Sequence, residues 1–490
     1  MAEPTLFDLS QPGKRCITMP QPARAPEQYL PEGQLRAEPP ALPEVSEPEI
    51  ARHYARLAAW NFNVDRNFYP LGSCTMKYNP RASEAIAAEP GWARLHPATP
   101  EECMQGALRL MRDLETWLAA ILGMDAVSLQ PPAGAAGEFT SLRVFRAWHD
   151  SHGDTARRRV IVPDTAHGTN PASVARCGWD VTVLTSDEEG RVSPDALRDV
   201  LGDDVAAIML TNPNTLGLFE THVLEIAEMA HEAGALMYCD GANLNALLGH
   251  ARPGDMGFDA VHVNLHKTFS TPHGGGGPGS GPIAVVAKLE PFLPAPRVRR
   301  AGEGTRTTGG EGALEWDWDR PQSIGKVQAW FGNFLVAVRA WAYIRSMGAE
   351  GLRQATEDAV LAANYIRRAL EGELDLPYPA TCMHECVFSA KTLADERGVH
   401  AADIAKRLLD YGIHPPTMYF PLIVEEALMI EPTETESKAT LDQFIAAMRE
   451  ILRDAAEQPD LLHEAPHTTP VRRVDEVNAA RKPVLRWQKT

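Results

Sequence analysis

Between residues 159 and 287, short apolar runs alternate with helical segments, and this alternation constrains the fold more than any other feature of the chain. Apolar runs separated by helices are typical of a mostly parallel sheet with helices on both faces. We therefore predict an α/β fold. The predicted strands are 159–164, 180–187, 205–212, 235–241, 259–267 and 282–287, and the predicted helices between them are 170–178, 193–201 (capped by Ser193) and 222–234.

After residue 325 strands become rare, which predicts a second, smaller α+β domain. Helices are expected at 325–348, 401–412 and 438–455 (capped by Thr435 or Ser437), and one more at 102–122. Prolines from Pro4 to Pro48 predict an extended N-terminal arm, and its large apolar side chains favour docking on another surface. The predicted domains are an arm at 1–66, a large domain at 67–325, a small domain at 326–470 and a tail at 471–490.

The charge balance excludes some classes of partner. The chain has 65 acidic and 47 basic residues, a formal charge of −18, which argues against binding to nucleic acid or to an anionic membrane. No apolar run approaches the roughly 18 residues of a membrane span. The N-terminus lacks the features of a secretory signal and carries Glu3 and Asp8, which suit a mitochondrial signal poorly. Seven scattered cysteines suggest no disulfide framework, so a cytoplasmic location is expected.

One lysine stands out at the end of a predicted strand. In NLHKTFSTPHGGGGPGSGP (264–282), Lys267 separates an apolar run from a glycine-rich segment. Asp240 ends another predicted strand, and His167 follows a third. Ligands of open α/β sheets bind beyond the carboxyl ends of the strands, so these three side chains are expected to meet there.

A small-residue turn, PPAGAAGEF (131–139), runs into a helix whose free N–H groups could hold a phosphate. Pyridoxal phosphate needs such a site, a lysine for its aldehyde, an acid for its ring nitrogen and a partner for its flat ring. Each signal alone has an ordinary interpretation, as a surface lysine, a capping acid or a loop histidine. Nucleotide binding is disfavoured because the lysine precedes the glycines and no G-x-x-x-x-G-K-[ST] motif is present.

The lysine segment resembles that of the glycine dehydrogenase (decarboxylating) family, the P-proteins of the glycine cleavage system. The resemblance extends over nearly the whole chain, which at 490 residues is similar to the cofactor-bearing subunit 2 of the split form of this family. The other matching segments are LGSCTMKYNP (71–80), AHGTNPAS (166–173), TNPNTLGLFE (211–220), DGANLNA (240–246), EPTETES (431–437) and HTTPVRRVDEV (467–477).

This resemblance implies pyridoxal-phosphate fold type I, similar to aspartate aminotransferase. It implies decarboxylation of glycine and transfer of the aminomethyl group to the lipoyl arm of H-protein, with subunit 1 as partner in an α2β2 heterotetramer. The resemblance also implies roles for single residues: Lys267 forms the Schiff base, Asp240 pairs with the ring nitrogen, and His167 stacks on the ring. The backbone of Ala135, Ala136 and Gly137 is expected to bind the phosphate, and Thr215, Asn264 and His266 are expected to make further contacts with the cofactor. The entrance is expected to be lined by Ser73, Cys74 and Lys77.

Three alternatives remain open at this point. The first is another enzyme of the same fold, a desulfurase or an aminotransferase, although no cysteine motif or substrate arginine supports either. The second is a non-catalytic scaffold subunit, which would be expected to lack the lysine. The third is a metal site from Cys382, His384 and Cys386, which would share one face of a strand in TCMHECVF. The usual structural zinc spacings are absent, so no metal is expected.

Overall fold

The structure is a computed structural model that describes residues 3–20, 23–38, 40–274, 279–301 and 312–486. Part of the glycine-rich segment singled out above, Gly275–Gly277 with Pro278, lies outside the described residues. Twelve strands and fourteen α-helices are assigned within these ranges.

The main sheet has seven strands in the order β1-β7-β6-β5-β4-β2-β3. The neighbours from β6 across to β3 pair in parallel, whereas β7 pairs antiparallel with both β6 and β1. The predicted mostly parallel sheet is therefore confirmed. The strands are β1 Ala126–Ser128, β2 Arg159–Pro163, β3 Asp180–Leu184, β4 Val205–Thr211, β5 Leu236–Gly241, β6 Ala260–Val263 and β7 Ile283–Val285.

Helices cover both faces of this sheet and bury two apolar clusters against it. One cluster centres on Leu108, Leu114 and Phe258, and the other on Phe145 and Tyr238, all nearly inaccessible to solvent. The helices of this part are α1 Glu47–Trp60, α2 Arg81–Ala88, α3 Pro90–Ala93, α4 Gln105–Leu122, α5 Gly134–Ser151, α6 Thr169–Arg176, α7 Pro194–Val200 and α8 Val223–Glu232. Short 3-10 turns lie at Pro26–Gln28, Glu101–Cys103, Leu244–Ala246, Pro253–Met256 and Ala287–Phe292.

The C-terminal part has its own apolar cluster around Phe388, Ile404 and Phe444. A three-stranded antiparallel sheet, β10-β12-β11, lies beside its helices, and β8 and β9 form a separate hairpin. The elements are β8 Arg297–Arg300, β9 Leu314–Asp317, α9 Phe334–Leu370, β10 Cys386–Ser389, α10 Lys391–Arg397, α11 Ala401–Asp410, β11 Thr417–Met418, β12 Ala427–Ile430, α12 Lys438–Glu457, α13 Pro459–His463 and α14 Glu476–Arg481.

Several predicted boundaries were wrong. The strand expected at 259–267 ends at Val263, which leaves Lys267 in the turn after it. The helix expected from residue 325 begins only at Phe334, because Gly325 and Gly332 adopt positive φ angles of 79° and 100°. Gly332 also lies so close to the Leu129 carbonyl that a side chain would collide with it. The helix then runs past Gly348, where the backbone is locally non-helical, to Leu370. The strand expected in TCMHECVF begins only at Cys386.

The capping predictions for two helices hold. The Ser193 side chain accepts a hydrogen bond from the Ala196 N–H, and the Ser437 side chain accepts one from the Thr440 N–H. The arm is held at its start by Glu3, which accepts a hydrogen bond from Arg56 on α1.

No helix among the described residues is both long and apolar enough to cross a membrane. The predicted domain limits at residues 66, 325 and 470 stay predictions.

Candidate active site

A cavity of about 180 Å³ opens beyond the carboxyl ends of the central strands. Its walls include Lys267, Asp240 and His167, the three side chains that the sequence analysis expected to meet at this edge. Five other residues from the prediction also line it, namely Ala135, Thr215, Asn264, His266 and Ser73. Four parallel strand pairs point their carboxyl ends toward this edge, which explains the convergence of residues so distant in sequence.

Lys267 lies in a turn just after β6. The turn is closed by a hydrogen bond of 3.0 Å from the Lys267 N–H to the Asn264 carbonyl. The side-chain amine donates a hydrogen bond of 2.6 Å to the Ser73 carbonyl oxygen, and the residue is only partly buried. The amine is thus directed into the cavity and held by backbone from the N-terminal part of the chain.

Asp240 lies at the end of β5 and is 2% exposed. It accepts hydrogen bonds from the Asn170 amide, at 2.9 Å, and from the Ala242 N–H, at 3.0 Å. Burial acts to raise the pKa of Asp240, but the nearby His262 ring, these two hydrogen bonds and Lys267 outweigh it, so the pKa lies below its usual value. Asp240 is therefore ionised at neutral pH and able to pair with a cationic nitrogen.

His262 was not predicted as a site residue. Its Nδ1 atom lies 2.5 Å from the Tyr238 hydroxyl, and its Nε2 atom lies 3.5 Å from an Asp240 oxygen. Burial lowers the pKa of His262, and the negative charge of Asp240 acts in the opposite direction. An isolated histidine within a strand gives no sequence signal for this role.

The N-terminus of α5 forms the floor of the cavity. Ala133, the residue before the helix, makes no side-chain cap, and the Gly137 N–H is already bonded to the Ala133 carbonyl at 2.9 Å. The amides of Gly134, Ala135 and Ala136 precede the first intrahelical bond and point out of the helix. Gly137 was predicted from the sequence to be one of the phosphate-binding amides, but its N–H already donates a hydrogen bond to the Ala133 carbonyl.

The residues of this cavity fit the cofactor expected from the sequence. A Cβ atom on Gly134 would lie 2.5 Å from the Asn264 Oδ1 atom, so only glycine allows so close an approach at the helix start. Three buried polar atoms that line the cavity have no hydrogen-bond partner among the described residues: Asn264 Oδ1, His262 Nε2 and Thr211 Oγ1. Unsatisfied buried polar atoms indicate a polar ligand, and the free amides at the helix N-terminus suit an anionic group of that ligand.

His167 borders the cavity with an exposed ring. Its Nδ1 atom lies 3.1 Å from the Thr169 hydroxyl, which holds the ring from one side. The Thr215 hydroxyl, in contrast, already donates to the Thr165 carbonyl at 2.5 Å. His266 accepts a hydrogen bond of 3.2 Å from the Ser280 N–H. The hydrogen bonds of Thr215 and His266 are therefore made to the backbone of neighbouring segments.

Glu138 is a second residue that sequence reasoning missed. It is 3% exposed, lines the cavity, and accepts hydrogen bonds from the Thr169 and Ser173 hydroxyls at 2.7 and 3.1 Å. Burial and the negative charge of Asp240 raise the pKa of Glu138 to about 7. Glu138 lies inside α5, whose sequence signal is the small-residue turn at its start, so a single carboxyl group within the helix gives no separate signal.

A second cavity, of about 620 Å³, adjoins the first and shares His266 with it. Cys74 and Lys77, predicted at the entrance, line this second cavity. The Lys77 amine is buried, however, and donates hydrogen bonds to Glu434 at 2.7 Å and to the Thr268 carbonyl at 2.8 Å. Its charge thus ties the segment after Lys267 to the C-terminal part of the chain.

The expected face of Cys382, His384 and Cys386 is not formed as a strand, although all three residues are buried. His384 lies instead in a group with Glu385 and Glu431, whose candidate ligand atoms fall within 4.8 Å of one another. This group contacts Ser73, because the Ser73 N–H donates a hydrogen bond of 2.8 Å to Glu385.

Comparisons with known proteins agree with this geometry. Residues 144–277 match the family model described as aminotransferase class-V, and residues 355–467 match the one described as glycine dehydrogenase, C-terminal domain. Curated relatives named "probable glycine dehydrogenase (decarboxylating) subunit 2" match the chain over its length. That of Halalkalibacterium halodurans is 56% identical over 490 residues, covering 99% of this chain and 98% of the relative. That of Desulforamulus reducens is 54% identical over 490 residues, covering 99% of both.

Solved structures share the fold. An inhibitor-bound glycine decarboxylase (P-protein) of the glycine cleavage system aligns with a TM-score of 0.71 at 23% identity, covering 86% of this chain and 94% of that one. A sphingosine-1-phosphate lyase of Burkholderia pseudomallei aligns with a TM-score of 0.62 at 14% identity, covering 88% of this chain and 96% of that one. The predicted fold type is thereby confirmed.

Proposed function

Because the chain belongs to the glycine dehydrogenase (decarboxylating) subunit 2 family, we propose that it is the subunit that binds pyridoxal phosphate and decarboxylates glycine. The observation that carries this proposal is the meeting of Lys267, Asp240 and the N-terminus of α5 in one cavity. An amine, an ionised acid and free helix amides are the three groups that this cofactor requires of a protein.

Each residue then has a defined task. The amine of Lys267 attaches the cofactor aldehyde covalently. Asp240, ionised and held by Asn170, keeps a proton on the ring nitrogen. The amides of Gly134, Ala135 and Ala136 hold the phosphate, and the exposed ring of His167 covers one face of the cofactor. When bound, pyridoxal phosphate supplies an electron-poor ring that accepts the electron pair left behind as CO2 departs.

The second cavity supports a proposal for the next step, transfer of the aminomethyl group to the lipoyl arm of H-protein. The cavity adjoins the lysine site, and its walls combine apolar residues such as Phe62, Tyr69 and Met76 with Cys74. A lipoyl arm is a long apolar chain that ends in a disulfide, so an apolar passage suits it. We place the arm there and propose Ser73 and Cys74 at the junction of the two cavities.

The relatives are named as a subunit 2, which implies a partner subunit. We propose that this partner is subunit 1, in an α2β2 assembly located in the cytoplasm. The N-terminal arm supports it, because Ile17, Met19, Tyr29 and Leu30 expose large apolar side chains to solvent. Exposed apolar groups of this number favour an interface with another chain.

The test is exchange of labelled CO2 with the carboxyl group of glycine. The purified chain, loaded with pyridoxal phosphate, is combined with subunit 1 and lipoylated H-protein, and label entering glycine is followed. We expect exchange with all components and none when the chain is omitted. Release of sulfur from cysteine, or transamination without exchange, would replace this function by that of a desulfurase or an aminotransferase. A preparation that is colourless with added cofactor would indicate a scaffold subunit.

A further inference from the structure

Three buried polar side chains lie side by side near the carboxyl ends of β5 and β6. Tyr238 and Asp240 are two residues apart on β5, so both project from the same face of the sheet. His262 on β6 is the residue paired with Asp240 in the register of the two strands. Each of the three side chains is at most 2% exposed. The register of β5 and β6 therefore brings a phenol, an imidazole and a carboxylate together.

Two glycines of α5 leave the space that the His262 ring occupies. A Cβ atom on Gly137 would lie 2.8 Å from the His262 Cβ atom, and one on Gly134 would lie 3.1 Å from the His262 Nε2 atom. The first distance is shorter than real Cβ atoms show, so a side chain at Gly137 would displace His262. Gly137 thus allows α5 to pack directly against His262, which holds the ring in place.

The contact with Tyr238 determines which nitrogen of His262 carries a proton. The Tyr238 hydroxyl lies 2.5 Å from Nδ1 and has no other hydrogen-bond partner among the described residues. Burial raises the pKa of Tyr238 well above its usual value, so the hydroxyl keeps its proton. When that proton is donated to Nδ1, a neutral ring carries its own proton on Nε2, and a cationic ring carries one there as well. Only a neutral ring with a bare Nε2 would leave the phenol proton without an acceptor.

The Nε2 atom of His262 faces Asp240. It lies 3.5 Å from the Asp240 Oδ1 atom and forms no hydrogen bond within the part of the chain that is described. A bare nitrogen would set its lone pair against a carboxylate, whereas an N–H group presents partial positive charge to it. Among the described residues, Oδ1 accepts one hydrogen bond, from the Ala242 N–H, and Oδ2 accepts one, from the Asn170 amide. A proton on Nε2 therefore adds to the support that a buried carboxylate requires.

We propose that Tyr238 and His262 are positioning residues for Asp240: the Tyr238 hydroxyl fixes the His262 ring with a proton on Nε2, and this N–H keeps the Asp240 carboxylate ionised and directed at the ring nitrogen of the cofactor. This inference rests on the proposed role of Asp240. Tyr238 does not line the cavity. The protonation of the cofactor ring would thus depend on a hydroxyl group that never touches the cofactor.

Nitrogen-15 NMR of the cofactor-free protein, labelled in its histidine rings, tests the proton assignment without any catalysis. The chain has 16 histidines, and the resonances of His262 are those lost in His262→Gln. If that variant does not fold, they are identified as the ones that shift in Tyr238→Phe, which removes a single oxygen atom. We expect the chemical shift of a protonated Nε2 in the wild type. A bare Nε2 overturns the proposal.

The rate of CO2 exchange per bound cofactor tests the positioning role. His262→Leu has no N–H and should slow exchange by about tenfold or more, whereas Tyr238→Phe should slow it by about 3- to 10-fold, as for one lost hydrogen bond. His262→Gln supplies an N–H from its amide and should recover most of the loss. Equal slowing in the leucine and glutamine variants would show that the His262 ring only fills space, and would overturn the proposal.

A direct contact with the cofactor phosphate is the competing role for Nε2, because this atom lies close to Gly134 at the start of α5. Equilibrium dialysis separates the two roles. We expect the dissociation constant of pyridoxal phosphate in His262→Leu to stay within about twofold of the wild-type value. A rise of about tenfold, with unchanged exchange per bound cofactor, would assign Nε2 to the phosphate and overturn the proposal.

The matched control is His149→Gln. His149 is as buried as His262, at 1% exposed, its Nε2 atom lies 2.9 Å from the Ala206 carbonyl oxygen, and it does not line the cavity. The substitution should change neither the exchange rate nor the affinity for pyridoxal phosphate. A wild type that exchanges no CO2 would reject the proposed function, and the NMR measurement would then still decide whether Nε2 of His262 carries a proton.

Discussion

The amine of Lys267 and the carbonyl oxygen of Ser73 lie 2.6 Å apart, although 194 residues separate them in the chain. The contact joins the turn after β6 to the loop of residues 73–75, in which Ser73 and Thr75 adopt positive φ angles of 64° and 45°. The N–H groups of these two residues donate hydrogen bonds to the buried Glu385 and Glu431 of the C-terminal part. The lysine site is therefore built from three distant stretches of sequence, and the expected effects of substitutions extend beyond the cavity itself.

Replacement of Lys267 by alanine should abolish covalent attachment of the cofactor, because no other amine lines the first cavity among the described residues. Borohydride reduction followed by peptide mass mapping measures the adduct directly. The matched control is Lys391→Ala, since Lys391 is a half-exposed lysine paired with Glu425 on the surface. An adduct retained in the first variant, or located on another lysine in the wild type, would contradict the assignment.

Asp240→Asn should leave the cofactor bound but slow CO2 exchange by about 10²-fold or more. Asparagine keeps the shape and can still meet the Asn170 amide, but it carries no charge to hold a proton on the ring nitrogen. Exchange rate and bound cofactor are measured on the same sample. Asp255→Asn, at an exposed pair with Arg252, should change neither. An Asp240→Asn enzyme of full activity would remove Asp240 from this role.

His167→Ala should raise the dissociation constant for pyridoxal phosphate by roughly 2- to 10-fold, the value of one aromatic stacking contact. The ring is exposed toward the cavity and has no large burial to lose, so the fold should be unaffected. Equilibrium dialysis measures the retention of cofactor, and His222→Ala, on the surface at the start of α8, serves as the control. Equal retention in the two variants would count against stacking.

Glu138 should make the stability of the cofactor-free protein depend on pH. A carboxyl group whose pKa is raised on folding binds a proton more tightly in the folded state, so the free energy of unfolding falls as pH rises from about 4.5 to about 7. The effect is about 3 kcal/mol at most for a shift of this size. Denaturant unfolding at a series of pH values should show a flatter profile for Glu138→Gln.

A matched control exists in Glu115 on α4. Burial raises its pKa to about 7 as well, and three arginines act in the opposite direction, yet it does not line the cofactor cavity. Glu115→Gln should flatten the same pH range without changing the affinity for pyridoxal phosphate. An unchanged slope in Glu138→Gln would mean that folding does not raise the pKa of Glu138.

The main sheet could be predicted from sequence because most of its strands are apolar runs, and one of its helices, α7, begins at a local cap, Ser193. The predicted strand at 205–212, for example, corresponds to β4 at Val205–Thr211, buried along its whole length. The start of α9 could not be predicted, since it is set by the close approach of Gly332 to Leu129, a contact 203 residues away in the chain numbering. Propensity alone carries no information on such contacts.

The candidate site divides in the same way. Lys267, Asp240 and His167 follow apolar strands, so their common location follows from the rule for open α/β sheets. His262, Glu138 and Glu385 could not be found from periodicity. His262 and Glu138 lie inside regular elements, and the significance of Glu385 depends on a partner, Ser73, that is 312 residues away.

The buried pair of Lys77 and Glu434 provides a final prediction. The Lys77 amine donates to Glu434 at 2.7 Å and to the carbonyl of Thr268, the residue after Lys267, at 2.8 Å. Removing one partner leaves an uncompensated buried charge, so Lys77→Met and Glu434→Gln should each destabilise the protein by about 3–5 kcal/mol.

The double variant Lys77→Met with Glu434→Gln leaves no buried charge at this position, so it should be less destabilised than the sum of the single variants. Capture of pyridoxal phosphate should nevertheless stay slow in both Lys77→Met proteins, because the Thr268 carbonyl has lost its donor and the turn that carries Lys267 is no longer fixed. Denaturant unfolding and absorbance measure the two effects separately. Additive stabilities would show that Lys77 and Glu434 do not stabilise each other. Full recovery of capture in the double variant would show that Lys77 acts only through its charge and not through the lysine turn.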